Sequence, residues 1–515
     1  MSVSNATDSA VTRSTSRRTV ICTIAAGAGV LSSLGFAPVG WGVAIVIGFA
    51  LLILILRSQQ VQAGSMGLTI LVGVAFGLGF AGPLVWWMTF VSFGAFVVLA
   101  TVQVVLIALG VVAVRAVVVL RGWPIWAACV WLGSEYVRGA FPFGGFPWGR
   151  LAYAAVDTPL EAYARLIGTP ALSAVVFLVA ALLAGIAERL VSFPRRVILA
   201  ALVLLIVVLG EMLPTGPEGP VGSKTVALVQ GNVPVLFAPW PRGEIFAMHL
   251  DETRRLADAI QAGDEPTPDL ILWPENSLDF DPYSEPGAAD QLQTMAARVG
   301  APILIGAILD GPTQTTAYNA GIVWEAEGPA DRYVKRRLVP FGEYLPMRSI
   351  LENLVGRFAR EIPRDMLGGR QPGRILAGGI NIGDMICFDV AYDRVVRDTV
   401  NAGAQLLVVQ TSNASFTGSA QPEQQWQISR LRAIETGRTV VVPSTNGISG
   451  VIAPTGKVVA RADTQAETHL SARVLLAEGT TPGIEWGSLI QLALVAAGSL
   501  GLALNLLGSK RRRKR

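Results

Sequence analysis

The sequence predicts two parts of different class: a membrane α-helical bundle of about eight transmembrane helices, and an extracytoplasmic α/β domain inserted before the last of them. Three observations predict it. Of 515 residues, 52% are apolar and only 15% charged, whereas soluble chains carry about 25% charged residues. The apolar excess is gathered into runs near the ~20 residues that cross a bilayer core. Between about 214 and 486 the texture changes to short β-rich runs alternating with helical periodicity, the pattern of a layered α/β domain.

The apolar runs are 19–38, 41–56, 66–88, 93–114, 122–137, 171–187, 197–213 and, much later, 487–508. Seven of them crowd the first 213 residues with short connectors, which excludes a set of buried globular helices. Residues 1–18 form a polar N-terminal segment ending in Arg13, Arg17 and Arg18, and 509–515 form a basic tail. Lysine and arginine gather on the cytoplasmic side of a membrane. With the N-terminus inside, that side collects these groups together with Arg57, Arg115, Arg121, Arg189, Arg195 and Arg196, while the connectors near 37–40 and 89–92 carry no charge. Both termini are then expected in the cytoplasm and 214–486 outside the inner (cytoplasmic) membrane. The first run reads as an uncleaved anchor, because six further spans follow it.

The fifth connector, 138–170, is long and aromatic, with Phe-Pro-Phe-Gly-Gly-Phe-Pro-Trp148-Gly-Arg150 on the outer side. It suits an interfacial belt or an entry site for a lipid headgroup or acyl chain. Glu135 and Arg138, three residues apart, are placed to pair on one helical face.

In the outer domain the strand candidates are 224–230, 269–273, 301–308, 320–324, 380–386, 405–410, 438–442 and 447–452. Helical stretches fall at 244–262, 287–299 and 421–436; the first repeats apolar residues at helical spacing through Ile245, His249, Leu250, Leu256 and Ile260.

Composition narrows the chemistry. There are two histidines, His249 and His469, and three cysteines, which excludes a His-rich metal centre and a disulfide framework. The basic tail is too short for nucleic-acid binding. Acid–base chemistry is left to carboxylates, lysine and a thiol. Glu275 ends Leu-Ile-Leu-Trp-Pro-Glu, at the close of a strongly apolar strand, a setting suited to a general base. Lys335 lies in Tyr333-Val-Lys-Arg-Arg-Leu-Val-Pro-Phe-Gly-Glu343, and Cys387 follows Ile382-Gly-Asp-Met-Ile386. Cys387 is the one cysteine outside the apolar runs, since Cys22 and Cys129 fall within them. Taken singly, each has a plain structural alternative: a solvated turn carboxylate, a cationic face, a core cysteine.

Together the three say more. Glu, Lys and Cys at strand boundaries of one α/β domain, in that chain order, resemble the nitrilase (carbon–nitrogen hydrolase) superfamily over about 224–475. The resemblance implies a nitrilase-like α-β-β-α sandwich with Glu275 as general base, Lys335 as oxyanion stabiliser and Cys387 as nucleophile. Hung between spans seven and eight, the domain is similar in particular to the bacterial apolipoprotein N-acyltransferases. That match covers essentially the whole chain and rests also on Val-Pro340-Phe-Gly-Glu343-Tyr, Phe-Pro147-Trp148-Gly, Gln230-Gly-Asn-Val-Pro234 and Ser444-Thr-Asn-Gly447.

It implies transfer of a fatty acyl chain from a phospholipid, through a Cys387 thioester, to the N-terminal amine of a diacylglyceryl-cysteine apolipoprotein. No metal or organic cofactor is expected. The backbone N–H of Phe388 would share the oxyanion, Glu343 would orient Lys335 or Glu275, Trp240 would gate acyl chains, and Trp148 would line the lipid path. Two departures touch the pocket walls: Cys387-Phe388-Asp389 stands where the family usually has Cys-Tyr-Glu, and Ser415 stands where it usually has an aromatic residue. The alternative is a membrane-tethered amidase using the same three residues on a small amide, which would have no need of the aromatic fifth connector. A transporter is disfavoured by the scarcity of ionisable residues within the runs.

Overall fold

The computed structural model describes residues 2–188, 191–233, 241–349 and 362–513, with side chains from 16 to 508. The chain divides into two compact units, Met1–Leu213 with Trp486–Arg515, and Pro214–Glu485.

The first unit is helical. Met66–Leu84, Phe93–Val117, Tyr163–Ala187, Phe193–Met212 and Pro482–Gly508 are long and apolar enough to cross a membrane, and Gly42–Arg57 is apolar but shorter. Ser2–Ser33 and the 16-residue Trp123–Arg138 are the other long helices. The first helix does not start after a polar segment: it runs unbroken from Ser2 to Ser33 because neither proline nor glycine precedes Gly27. The sixth begins at Tyr163, well before 171, because Gly168 adopts φ +81°, a left-handed value open to glycine, and lets the helix continue through a kink past Pro170. Glu135 and Arg138 are both buried but do not bond to each other. Glu135 accepts from the Trp131 indole (3.2 Å) and the Leu151 N–H (3.0 Å), while Arg138 donates to the carbonyls of Trp148 (3.4 Å) and Gly149 (3.2 Å). Inside an apolar unit an unbonded backbone group is costly, so both side chains are spent on fastening the fifth connector.

The second unit is a two-sheet sandwich. One sheet has the order β13-β1-β2-β3-β4-β5, with β6 beside β4: β1 Pro220–Gln230, β2 Leu270–Leu272, β3 Ile303–Asp310, β4 Thr316–Glu325, β5 Gly328–Val334, β6 Asp365–Met366 and β13 Thr468–Ala477. The other has the order β12-β11-β10-β9-β8-β7: β7 Arg374–Ala377, β8 Ile380–Ile386, β9 Leu406–Gln410, β10 Val440–Val442, β11 Gly450–Ile452 and β12 Val458–Arg461. Side chains alternate faces along a strand, and the buried ones sort accordingly. Val226, Leu228, Leu270, Leu272, Leu304 and Val323 meet Ile382, Ile386, Leu406, Val408 and Val441 between the sheets. Ala227, Val229, Ile271, Ile303, Ile305 and Ile322 turn outward, under the helices Glu244–Ala262 and Ala288–Val299. Asp393–Asn401 and Gln421–Thr436 lie on the second sheet, completing an α-β-β-α sandwich.

β5, β6, β7, β12, β13 and the helix Asp393–Asn401 have no counterpart in the sequence expectations. β12 is largely exposed, β13 is half-buried over most of its length, β6 and β7 have only 2 and 4 residues, and β5 carries Asp331 and Arg332 in its middle, so none shows the long apolar run that marks a buried strand.

Candidate active site

β1–β2–β3 and β8–β9–β10 are parallel runs, and in α/β sheets ligands gather beyond the carboxyl ends of such strands. Glu275 lies just past β2, Cys387 directly after β8 and Thr411 directly after β9. Lys335 follows β5. Alternation brings the rest to the same place: Asn319, Gly321 and Val323 share one face of β4, and Tyr333 and Lys335 share one face of β5. At this end the space between the sheets turns from apolar to polar.

The centre is the Lys335 ammonium, 1% exposed. It donates to Glu275 Oε1 at 2.9 Å and to Glu343 Oε1 at 2.9 Å. The Asn319 amide bridges the same two oxygens, at 2.8 and 3.1 Å. The second oxygen of Glu275 accepts from the Ser412 N–H (3.1 Å), and that of Glu343 from the Val339 N–H (2.7 Å). Glu343 returns to Lys335 because the Pro340–Tyr344 segment folds back on itself, with Phe341 at φ +62° donating its N–H to the Tyr344 carbonyl. The backbone of the Glu275 turn is tied in turn: Thr445 donates to the Glu275 carbonyl (3.2 Å), and Gln410 Nε2 donates to that of Trp273 (2.7 Å).

Cys387 opens a short 3₁₀ turn, Cys387–Ala391, at φ +53°. A non-glycine residue held there costs about 1–3 kcal/mol and marks functional turns. The Thr411 hydroxyl donates to its Sγ at 3.7 Å.

Electrostatics divide the roles. Burial opposes the charge on Lys335, but Glu275 and Glu343 more than offset it and hold the ammonium well above the usual lysine range. Burial, and then the charge of Glu275, push the Cys387 thiol up to about 12, while Lys335 and Thr411 pull the other way. At neutral pH the sulfur therefore rests as a thiol, and its thiolate needs a base.

Comparison with known proteins bears on the family. The family model of the apolipoprotein N-acyltransferase N-terminal domain matches residues 28–182, and that of carbon–nitrogen hydrolases matches 225–481. The chain is 37% identical to the apolipoprotein N-acyltransferase of Mycolicibacterium smegmatis over 95% of its own length and 85% of that protein's. The chain belongs to the apolipoprotein N-acyltransferase family. It is also 31% identical to the Nitrosomonas europaea apolipoprotein N-acyltransferase, covering 94% of this chain and 97% of that one. Among solved structures it is similar to Saccharomyces cerevisiae Nit3 of the nitrilase superfamily, at 19% identity, 53% of this chain, 95% of that chain and a TM-score of 0.37.

For this member of the apolipoprotein N-acyltransferases, the structure brings Glu275, Lys335 and Glu343 into direct contact and sets Cys387 within their field. Phe388 is buried, its ring edge-on to Tyr392 at 5.2 Å. Trp148 belongs to the helical unit, 3% exposed, packed against Phe146 (6.0 Å between centroids) and Trp87 (5.8 Å). Trp240 lies outside the described residues. Sequence reasoning missed Asn319, Thr411 and the Tyr333–Asp389 bond. Asn319 had a legible signal: a lone amide inside the apolar run of β4, which buries only if something pairs with it.

Proposed function

We propose that this chain completes lipoprotein maturation at the membrane surface by a two-step acyl transfer through Cys387. The observation that carries the proposal is the Lys335 ammonium fixed between Glu275 and Glu343 beside a thiol that stays protonated at rest.

In the first step Glu275 accepts the thiol proton as sulfur attacks a phospholipid ester carbonyl. Lys335 and the Phe388 N–H hold the tetrahedral oxyanion. The ester C–O bond breaks, Glu275 returns the proton to the departing glycerol oxygen, and a lysophospholipid leaves a Cys387 thioester behind. In the second step the α-amine of a diacylglyceryl-cysteine attacks, Glu275 takes its proton, the C–S bond breaks, and the thiol is restored. Lys335 serves as a fixed cation and not as a base, because two carboxylates already share its protons. Both substrates are anchored by acyl chains, and an apolar site that excludes water favours transfer over hydrolysis. Trp240, Phe388 and Trp148 are assigned to acyl-chain contacts.

The same reading gives the bundle eight spans, both termini in the cytoplasm and the sandwich outside. Reporter fusions near residue 330 and at the C-terminus are expected to read opposite sides. The function itself is tested by mass spectrometry of lipoprotein N-termini in cells with and without the protein: N-acylated termini are expected only with it. Unchanged termini, with hydrolysis of small amides by the purified protein, would favour the amidase.

A further inference from the structure

A second polar layer lies beneath the Glu275–Lys335 pair. On β8, Asp384 shares the inter-sheet face with Ile382 and Ile386; on β9, Gln410 shares it with Leu406 and Val408. Both Asp384 and Gln410 are 0% exposed. Opposite them stands Gly321 of β4. A Cβ there would collide with Asp384 Oδ2 and come within 2.5 Å of Gln410 Oε1, so the two oxygens crowd one Cα and only glycine leaves them room. Among the described residues, neither oxygen of Asp384 nor Gln410 Oε1 receives a hydrogen bond. The Gln410 amide cannot simply be turned over, because its nitrogen is the donor to the Trp273 carbonyl.

We propose that Asp384 carries a proton, donates it to Gln410 Oε1, and through Gln410 holds the Trp273-Pro274-Glu275 turn in place. Asp384 is thus a positioning residue for Glu275, and this role rests on Glu275 being the base. One proton satisfies two buried acceptors that would otherwise face each other bare. Charge favours the same answer. The groups around Asp384 are Asp389 after β8, Glu275 after β2, and Tyr333 of β5, whose hydroxyl is bound to Asp389. The Lys335 ammonium is already shared by Glu275 and Glu343. Burial, then the charges of Asp389 and Glu275, hold the Asp384 carboxyl well above the usual carboxylate range. The Met385 N–H favours the ionised form but is not in bonding geometry. Asp384 also stands on the strand that ends at Cys387, so a single contact joins the thiol's strand to the turn of its base.

The test uses the full-length protein in lipid nanodiscs. Infrared difference spectra of wild type minus Asp384→Asn at neutral pH should show the C=O stretch of a protonated carboxylic acid; its absence would overturn the proposal, whatever the fate of the Glu275 reading. Asn keeps a donor for Gln410, so Asp384→Asn should form acyl-enzyme within about threefold of wild type. Asp384→Ala should lose about tenfold or more in kcat with KM for phospholipid little changed. An Asn variant as slow as a folded Ala variant, or an Ala variant at full rate, would also overturn it. Cys387→Ala, run in parallel, tests the covalent mechanism separately.

Discussion

The Tyr333 hydroxyl donates to Asp389 Oδ2 at 2.7 Å and so ties the strand that ends just before Lys335 to the turn that begins with Cys387. Asp389 is fully buried, and it also accepts from the N–H groups of Arg337 (2.9 Å) and Ile386 (3.3 Å). The aspartate in Cys387-Phe388-Asp389 is shorter than the family's usual glutamate, yet it reaches three donors. Burial raises its carboxyl above the usual value, while Lys335 and these donors hold it back.

Removing the hydroxyl tests that tie. Tyr333→Phe should slow acyl-enzyme formation about tenfold, about 1.4 kcal/mol in the barrier, because the Cys387 turn loses one of its three anchors. Single-turnover kinetics with a short-chain phospholipid measure it. A Phe variant at full rate would show that the two backbone donors suffice.

Glu275→Gln keeps the shape of the side chain and removes its capacity to accept the thiol proton, the role proposed for it. Acylation should fall by at least about 100-fold, the lower end of what general-base catalysis supplies. Near-full rate in a folded variant would reduce Glu275 to a partner that only fixes Lys335.

Protein purified from membranes without acceptor should carry a fatty-acyl increment in its intact mass, removable by mild hydroxylamine. Cys387→Ala should never carry it; Cys22→Ala and Cys129→Ala should carry it normally. Cys387→Ser should be nearly inactive, since a hydroxyl is far harder for Glu275 to deprotonate and its ester is a poorer acyl donor. Transfer by the alanine variant would falsify covalent catalysis at this position.

A pH-dependent prediction lies away from the site. His469 Nδ1 bonds Glu252 Oε1 at 2.6 Å; this bond, against the effect of burial, raises His469 above its ordinary value, and Glu252 is also paired with Arg255. A raised histidine contributes stability that is fully present below its unfolded value of about 6.5 and is lost as pH rises through the folded value. His469→Gln should therefore lower Tm more at about pH 5.5 than at about pH 9. An equal loss at both would mean that the pair is not ionic.

Part of the site was legible because two of its residues follow apolar strands, whereas β5, which leads to Lys335, was not read from the sequence. Glu275 and Cys387 close β2 and β8, which read as strands from their apolar runs alone. Glu343 was visible only through the resemblance, since a carboxylate in a Pro/Gly-containing loop has no periodicity to place it. Asn319 and Thr411 were not found: their roles depend on side chains from strands far apart in the chain, Asn319 of the first sheet reaching Glu275 and Glu343, and Thr411 of the second reaching Cys387. The expected Glu135–Arg138 pair failed for a similar reason. Helical spacing set them on one face, but the connector's unbonded N–H and carbonyl groups claimed both.

The sequence by itself determined which segments are apolar enough for a bilayer, that an α/β segment lies between them, and that Glu275 and Cys387 follow its apolar strands. Those properties follow from local composition and from the periods of helix and strand. Tertiary structure alone decided that Lys335 is shared by two carboxylates, that the Cys387 thiol is pushed up to about 12, and that Asp384 and Gln410 crowd one glycine of the opposite sheet. Those properties depend on burial and on charges from residues separated in the chain, brought together when the strands pair and the two sheets close.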